Sequence, residues 1–151
     1  MTDIVSPEKR SEMMSGIRGR NTKPEIIVRR LLHKLGYRFR LHRKDLPGKP
    51  DIVLPKWNIA VFVNGCYWHG HEDCDLFRPP KSRMEFWTGK IEGNRARDRR
   101  NHAALQEAGW KILIIWECAV SKKLRLTHGH LAEAVTAAIM SGEPRVEIRG
   151  N

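Results

Sequence analysis

The chain has 151 residues, 40% of them hydrophobic, and Lys plus Arg outnumber Asp plus Glu by 28 to 17, for a formal charge of +11. That length fits one domain with a core of its own, and such a charge on so small a chain points to a polyanion, most often nucleic acid. No apolar run approaches the ~20 residues of a membrane span, the opening stretch MTDIVSPEKRSEMM lacks the apolar centre of a secretion signal, and three cysteines suit metal binding in a reducing cytoplasm better than disulfides.

Ser6-Pro7-Glu8 reads as a helix start, with serine as N-cap and proline at the first helical position. The segment runs to about Ile17, carries Lys9, Arg10, Arg18 and Arg20, and is read as a basic helical arm over residues 1–20; a solvated terminus is the alternative. Thr22-Lys23-Pro24-Glu25 has the form of a capping box, Ile26, Ile27, Leu31, Leu32 and Leu35 recur at helical spacing, and Gly36 ends that helix. YRFRLH (37–42) alternates Tyr37, Phe39 and Leu41 with basic residues, which predicts a half-buried strand, and DLPGKP (45–50) is a turn. DIVLP (51–55) and WNIAVFVNG (57–65) are two strands of a hairpin through Pro55-Lys56; the second is apolar on both faces and belongs in the centre of a sheet. A helical pattern follows from about Arg83 to Ala108, then an apolar strand WKILIIWEC (110–118), then a helix from Leu124 to Met140. The order α-α-β-β-β-α-β-α predicts a three-layer α/β domain over 21–142, a mixed central sheet flanked by helices, with 143–151 left as a C-terminal tail.

Four constellations carry chemistry. Cys66, His71 and Cys74 follow a C-x4-H-x2-C spacing, and Cys118 ends a strand expected beside the one that leads into that loop. Four soft N/S donors suit tetrahedral Zn²⁺ in a closed, structural site, with His69, Glu72 and Asp73 as competing ligands. Asp51 opens a central strand, where a carboxylate serves either as a turn cap or as a ligand for a hard cation such as Mg²⁺. Glu25 and His69 complete the parts for metal-assisted phosphodiester hydrolysis: Asp51 on the metal, His69 as general acid/base, and Glu25 either on a metal-bound water or closing its capping box. Tyr67 and Trp68 in the loop and Trp87 at the start of the long helix are either local core or an apolar wedge between base steps. In the run Arg95–His102, the face of Arg95, Arg99 and His102 is either a phosphate contact or solvated, and Asp98 either orients His69 or forms intrahelical ion pairs.

LPGKPDIVLP, VNGCYWHGHEDC, RMEFW, ARDRR and LQEAGWKILIIWEC, in this order, resemble the very short patch repair (Vsr) endonucleases over roughly residues 8–140. The resemblance implies a fold similar to type II restriction endonucleases and a Mg²⁺-dependent enzyme. The family nicks one strand 5′ of the thymine at T:G mismatches left by deamination of 5-methylcytosine. It implies Mg²⁺ on Asp51 and on the backbone carbonyl of Val63, His69 as the catalytic histidine, and Glu25 as the acid of the N-terminal site. It further implies Cys66, His71, Cys74 and Cys118 on Zn²⁺, Tyr67, Trp68 and Trp87 as intercalating aromatics, and the arm as a DNA clasp. Asn64 stands where the family has a histidine, which leaves more of the acid/base work to His69, and HGHEDC differs in length from the family's HHHHC. Double-stranded mismatched DNA is the implied partner of a monomer acting on the bacterial nucleoid in the cytoplasm, with no membrane and with mismatch-repair proteins as the candidate protein partners. Two rivals share these residues: a restriction-type nuclease indifferent to mismatches, and a non-catalytic zinc DNA-binding module.

Overall fold

The structure, a computed structural model, describes residues 22–72, 74, 77, 82–120 and 128–150. Its elements are α1 (Lys23–Lys34), β1 (Arg40–Leu41), β2 (Ile52–Leu54), β3 (Ile59–Asn64), α2 (Met84–Glu107), β4 (Lys111–Trp116), α3 (His128–Ser141) and β5 (Arg145–Ile148). The helical arm expected over residues 6–17 and the first turn expected of the last helix, 124–127, lie outside the described residues. Among the described residues, no helix is long and apolar enough to cross a membrane.

The five strands form one mixed sheet in the order β1-β2-β3-β4-β5. β2 and β3 are the expected hairpin, antiparallel with Ile52 opposite Val61 and Leu54 opposite Ile59. A short 3-10 turn, Pro55–Trp57, closes it, and Asn58 takes the left-handed conformation (φ 54°) that asparagine tolerates. β3 and β4 run parallel across six residue pairs, from Ile59–Lys111 to Asn64–Trp116. A parallel pair needs a crossover, and α2 supplies it.

The alternation of side chains along β3 and β4 makes three layers. Ile59, Val61, Leu113 and Ile115 pack with Val28, Leu31 and Leu32 of α1 and Leu131, Val135 and Ile139 of α3. Ala60, Phe62, Ile112, Ile114 and Trp116 face the other way, onto Leu105 of α2 and the buried Cys66 and Cys118. Each Val, Leu, Ile or Phe among them contributes ~1.5–3 kcal/mol by leaving water. Both faces of β3 and β4 are therefore covered, which is why their sequences are apolar throughout.

Two elements differ from the sequence expectation. The strand over 37–42 contracts to Arg40–Leu41, paired with Val53 and Ile52. Tyr37 and Phe39 pack against the core beside α1, but Leu41 is 40% exposed. And the stretch after 142 is no simple tail: Arg145–Ile148 adds a fifth strand, parallel to β4, with Ile112 opposite Arg145 and Ile115 opposite Ile148. Its four residues alternate, with Val146 and Ile148 turned to the core.

Candidate active site and metal centre

Two groups of side chains converge at the end of the sheet where β3 stops and β2 begins. The first is built on α1. Thr22 caps the helix by accepting from the backbone N–H of Glu25 (3.4 Å). Glu25 is only 1% exposed and its carboxylate points inward, to Arg29 Nη2 at 3.0 Å and His42 Nε2 at 2.8 Å. Asp51 approaches from the start of β2, where its Oδ2 accepts from the backbone N–H of Val63 (2.8 Å). One donor atom each from Glu25, His42 and Asp51 lies within 4.8 Å of the others. Burial pushes the Asp51 carboxyl up to about 7, the Glu25 charge adds to this, and the Val63 N–H opposes it. The Arg29 charge offsets this only in part, and a hard cation would supply the rest. The expected pairing of Glu25 with Asp51 is present, and Val63, expected as a metal contact, is the residue that holds Asp51.

His42 is absent from the sequence reading, which leaves it on the outer face of a strand. The real backbone departs from a strand there: His42 has φ 48°, and its N–H donates to the Asp51 carbonyl (3.1 Å). That turn swings the ring toward Glu25.

The second group begins one residue further along β3. The residue after Val63, Asn64, is buried and lines a cleft of about 430 Å³ with His69, Asp98, Arg99, His102 and Arg145. His69 Nδ1 lies 2.5 Å from Asp98 Oδ2, so Asp98 faces His69 from α2. Of the basic face read on this helix, Arg99 is exposed, His102 is buried against the Phe62 ring, and Arg95 is tied to the loop through the Gly70 carbonyl.

The loop between β3 and α2 turns tightly. His69 N–H bonds the Gly65 carbonyl (3.2 Å) and His71 N–H the Cys66 carbonyl (2.9 Å). Gly70 ends the turn at φ 60°, and a Cβ there would lie 2.6 Å from Arg95 Nε and 2.8 Å from Ile91 Cγ2. Only glycine meets both conditions.

The turn delivers Cys66 and His71 to Cys74 and to Cys118, which follows β4; their donor atoms lie within 4.8 Å of one another. His71 Nδ1 is 3.5 Å from Cys66 Sγ and 3.6 Å from Cys118 Sγ. Bonds of ~2.3 Å to sulfur and ~2.05 Å to nitrogen at a tetrahedral angle put S and N about 3.5–3.6 Å apart. The His71–Cys66 and His71–Cys118 spacings therefore match two edges of a metal tetrahedron, and Cys74 Sγ lies within 4.8 Å of the other three donors. His71 stacks face to face on Trp116 (centroids 3.9 Å apart, planes at 4°), and the Gly150 N–H donates to Cys118 Sγ (3.2 Å). Burial pushes the Cys66 and Cys118 thiols up and the His71 imidazole down to about 4. The imidazole is thus held neutral, the form that binds metal. The rival ligand His69 is committed to Asp98, and Glu72 is exposed.

The aromatics run outward from this centre: Tyr67 edge-on to Trp68 (5.3 Å), Trp68 to Trp87 (6.0 Å), Trp87 to Phe86 (5.0 Å). Phe86 is 50% exposed and Met84 56%.

Residues 2–76 match the family described as DNA mismatch endonuclease Vsr. The chain is 55% identical over 121 residues to the type II nicking enzyme V.XorIIP of Xanthomonas oryzae pv. oryzae, covering 80% of this chain and 88% of that one. It is 44% identical over 123 residues to the type II nicking enzyme V.NmeAIP of Neisseria meningitidis, covering 82% and 87%. It is 42% identical over 133 residues to the DNA mismatch endonuclease Vsr of Escherichia coli, covering 88% and 85%. The chain belongs to the Vsr DNA mismatch endonuclease family. It is accordingly an endonuclease, a hydrolase that acts on DNA, which removes the non-catalytic binding module from consideration. In this Vsr-family chain Asp51 is held by Val63, and the next residue, Asn64, lines the cleft of the His69–Asp98 pair.

Proposed function

We propose that the protein nicks one strand of double-stranded DNA 5′ of the thymine at T:G mismatches that arise from 5-methylcytosine deamination, in a Mg²⁺-dependent reaction on a restriction-endonuclease-like fold. The observation that carries this reading is the Val63–Asn64 step. The Val63 N–H holds Asp51 beside Glu25, and the next residue, Asn64, lines the cleft that holds His69 and Asp98. Acid and imidazole are thus a single residue apart in support, which suits a reaction at one phosphodiester.

In this reading Asp51 and the Val63 carbonyl hold Mg²⁺, and Glu25 supports it from α1. When bound, the ion supplies charge for the developing negative phosphate and lowers the pKa of a coordinated water. His69 moves a proton at Nε2, since Nδ1 is engaged by Asp98. The four donors of the second centre hold Zn²⁺, in keeping with the spacing of His71 from Cys66 and Cys118, and brace the loop that carries Tyr67 and Trp68. Tyr67, Trp68 and Trp87 enter the base stack at the mismatch, where a mispaired step unstacks at least cost. The arm over 1–20 clasps the duplex, and the enzyme works as a monomer on cytoplasmic, nucleoid DNA alongside mismatch-repair proteins.

The test is nicking of two labelled duplexes that differ only in T:G against T:A at one step, with Mg²⁺ and with Asp51→Ala as control. The expected result is a nick 5′ of the mismatched thymine, lost in the variant. Equal cutting of both duplexes would favour the restriction-type rival.

A further inference from the structure

We propose that His42 is a metal ligand, and that Glu25, His42 and Asp51 form a carboxylate–imidazole–carboxylate site that prefers a transition cation of the Mn²⁺ class over Mg²⁺. This rests on the reading above, in which Asp51 holds the catalytic cation, and adds to it a nitrogen donor and a metal preference.

The geometry is close to that of a bound ion. Donors ~2.1 Å from a common octahedral ion lie roughly 3 Å apart when adjacent and roughly 4.2 Å when opposite. Glu25 Oε1 and His42 Nε2 are 2.8 Å apart, and the three donor atoms lie within 4.8 Å of one another. The Glu25–His42 pair is already at the spacing of adjacent ligands, and no pair of the three is wider than 4.8 Å. The hydrogen now between Glu25 and His42 occupies the lone pair that an ion would take.

The neighbours favour the same use. Arg29 Nη2 sits 3.0 Å from Glu25 Oε2 and 3.4 Å from His42 Nε2, so an ion at the three donors would take over its place on the imidazole and leave it on Oε2, with Oε1 turned toward His42. The Val63 N–H fixes Asp51 in the same way, through Oδ2. His42 reaches the group by a left-handed backbone (φ 48°), an uncommon conformation for a residue with a side chain. Its N–H to the Asp51 carbonyl ties the imidazole's position to that of the acid it joins. An imidazole nitrogen raises affinity for later divalent cations, whereas Mg²⁺ strongly prefers oxygen.

The probe is Mn²⁺, titrated into the zinc-loaded full-length protein without DNA and followed by electron paramagnetic resonance. The expected result is one bound ion whose spin echo is modulated by a coordinated ¹⁴N, bound about tenfold or more tighter than Mg²⁺ measured by competition. His42→Gln should abolish the ¹⁴N modulation and weaken Mn²⁺ by about tenfold, with Mg²⁺ affinity little changed. Melting and zinc content verify that the variant is folded, and His42→Asn serves if it is not. No Mn²⁺ binding, binding without ¹⁴N modulation, or modulation that survives in the folded His42 variant would each overturn the proposal. Asp51→Asn separates the two readings. Mn²⁺ binding that needs Asp51 but shows no nitrogen removes His42 alone, whereas binding that ignores Asp51 removes the metal site as a whole.

Discussion

His69 Nδ1 and Asp98 Oδ2 meet at 2.5 Å across 29 residues of chain, from the loop after β3 to the middle of α2. With Nδ1 donating to the carboxylate, Nε2 is the nitrogen left to exchange a proton, and the bond holds the ring's orientation. Asp98→Asn keeps the shape but weakens that hold. We expect kcat for nicking to fall by about 10–100-fold, within the range that general acid–base groups supply, with KM and melting nearly unchanged. His69→Gln should lose at least as much, and the double variant no more than His69→Gln alone. A loss of melting temperature without a loss of rate would make the pair a structural bridge only.

Asp51 links stability to pH. Burial and the Glu25 charge push its carboxyl up from 3.8 to about 7. Between those values the folded chain keeps a proton that the unfolded chain has released, so stability without added divalent cation falls as pH rises from about 4 to about 7. Asp51→Asn removes that penalty. It should melt above wild type at pH 8 by roughly 2–4 °C per kcal/mol recovered, and no higher at pH 4. Added Mg²⁺ should raise the wild-type melt and leave the variant where it was. Thermal melts across pH, with and without the ion, check this; superimposed curves at every pH would refute the buried-acid account.

The sequence displayed the parts of this site whose roles depend on periodicity or spacing. β3 and β4 are legible because both faces are buried, so IAVFV and ILII carry no alternation to mislead. The Cys and His spacing is legible because one tight turn and one strand end bring the four donors together. His42 is not legible. Its position depends on a left-handed backbone and on pairing of Leu41 with Ile52, neither of which leaves a local pattern. β5 escapes for a related reason: four residues with two charged side chains, Arg145 and Glu147, look like a polar tail. Only the register to β4 and the Trp116 Nε1–H bond to Glu147 Oε1 (2.8 Å) make them a strand.

The Cys66–His71–Cys74–Cys118 centre should contribute to folding directly. Without metal its buried thiols stay protonated and its imidazole stays neutral. An ion displaces the thiol protons and joins the loop to β4. Elemental analysis should find one zinc per chain, and chelation or Cys118→Ser should cost several kcal/mol, on the order of 3 or more. The chelated protein should be acid-sensitive. His71 is pushed down to about 4, so the unfolded chain takes up the proton first as pH falls below about 6.5, and stability is lost progressively down to about 4. The zinc-loaded protein should hold its melting temperature through the upper part of that range.

The aromatic row gives the last prediction. Tyr67, Trp68 and Trp87 contact one another in sequence and are each partly buried, so they stand on one another rather than deep in the core. Phe86 continues the row with half its surface exposed and the Arg83 guanidinium 4.6 Å from its ring centroid. A row fixed at its base by the Cys/His centre and open at its edge is suited to enter a stack of bases. Trp68→Ala and Trp87→Ala should each weaken binding to the T:G duplex by about 1–3 kcal/mol, the value of one stacked base. Binding to the matched duplex, held through phosphates, should change little and retain its salt dependence. Phe86→Ala should act in the same direction but less, because its ring lies at the end of the row. Equal losses on matched and mismatched duplexes would mean that the row supports the loop without reading the mismatch. A fall in melting temperature in place of a fall in affinity would return these rings to the role of local core.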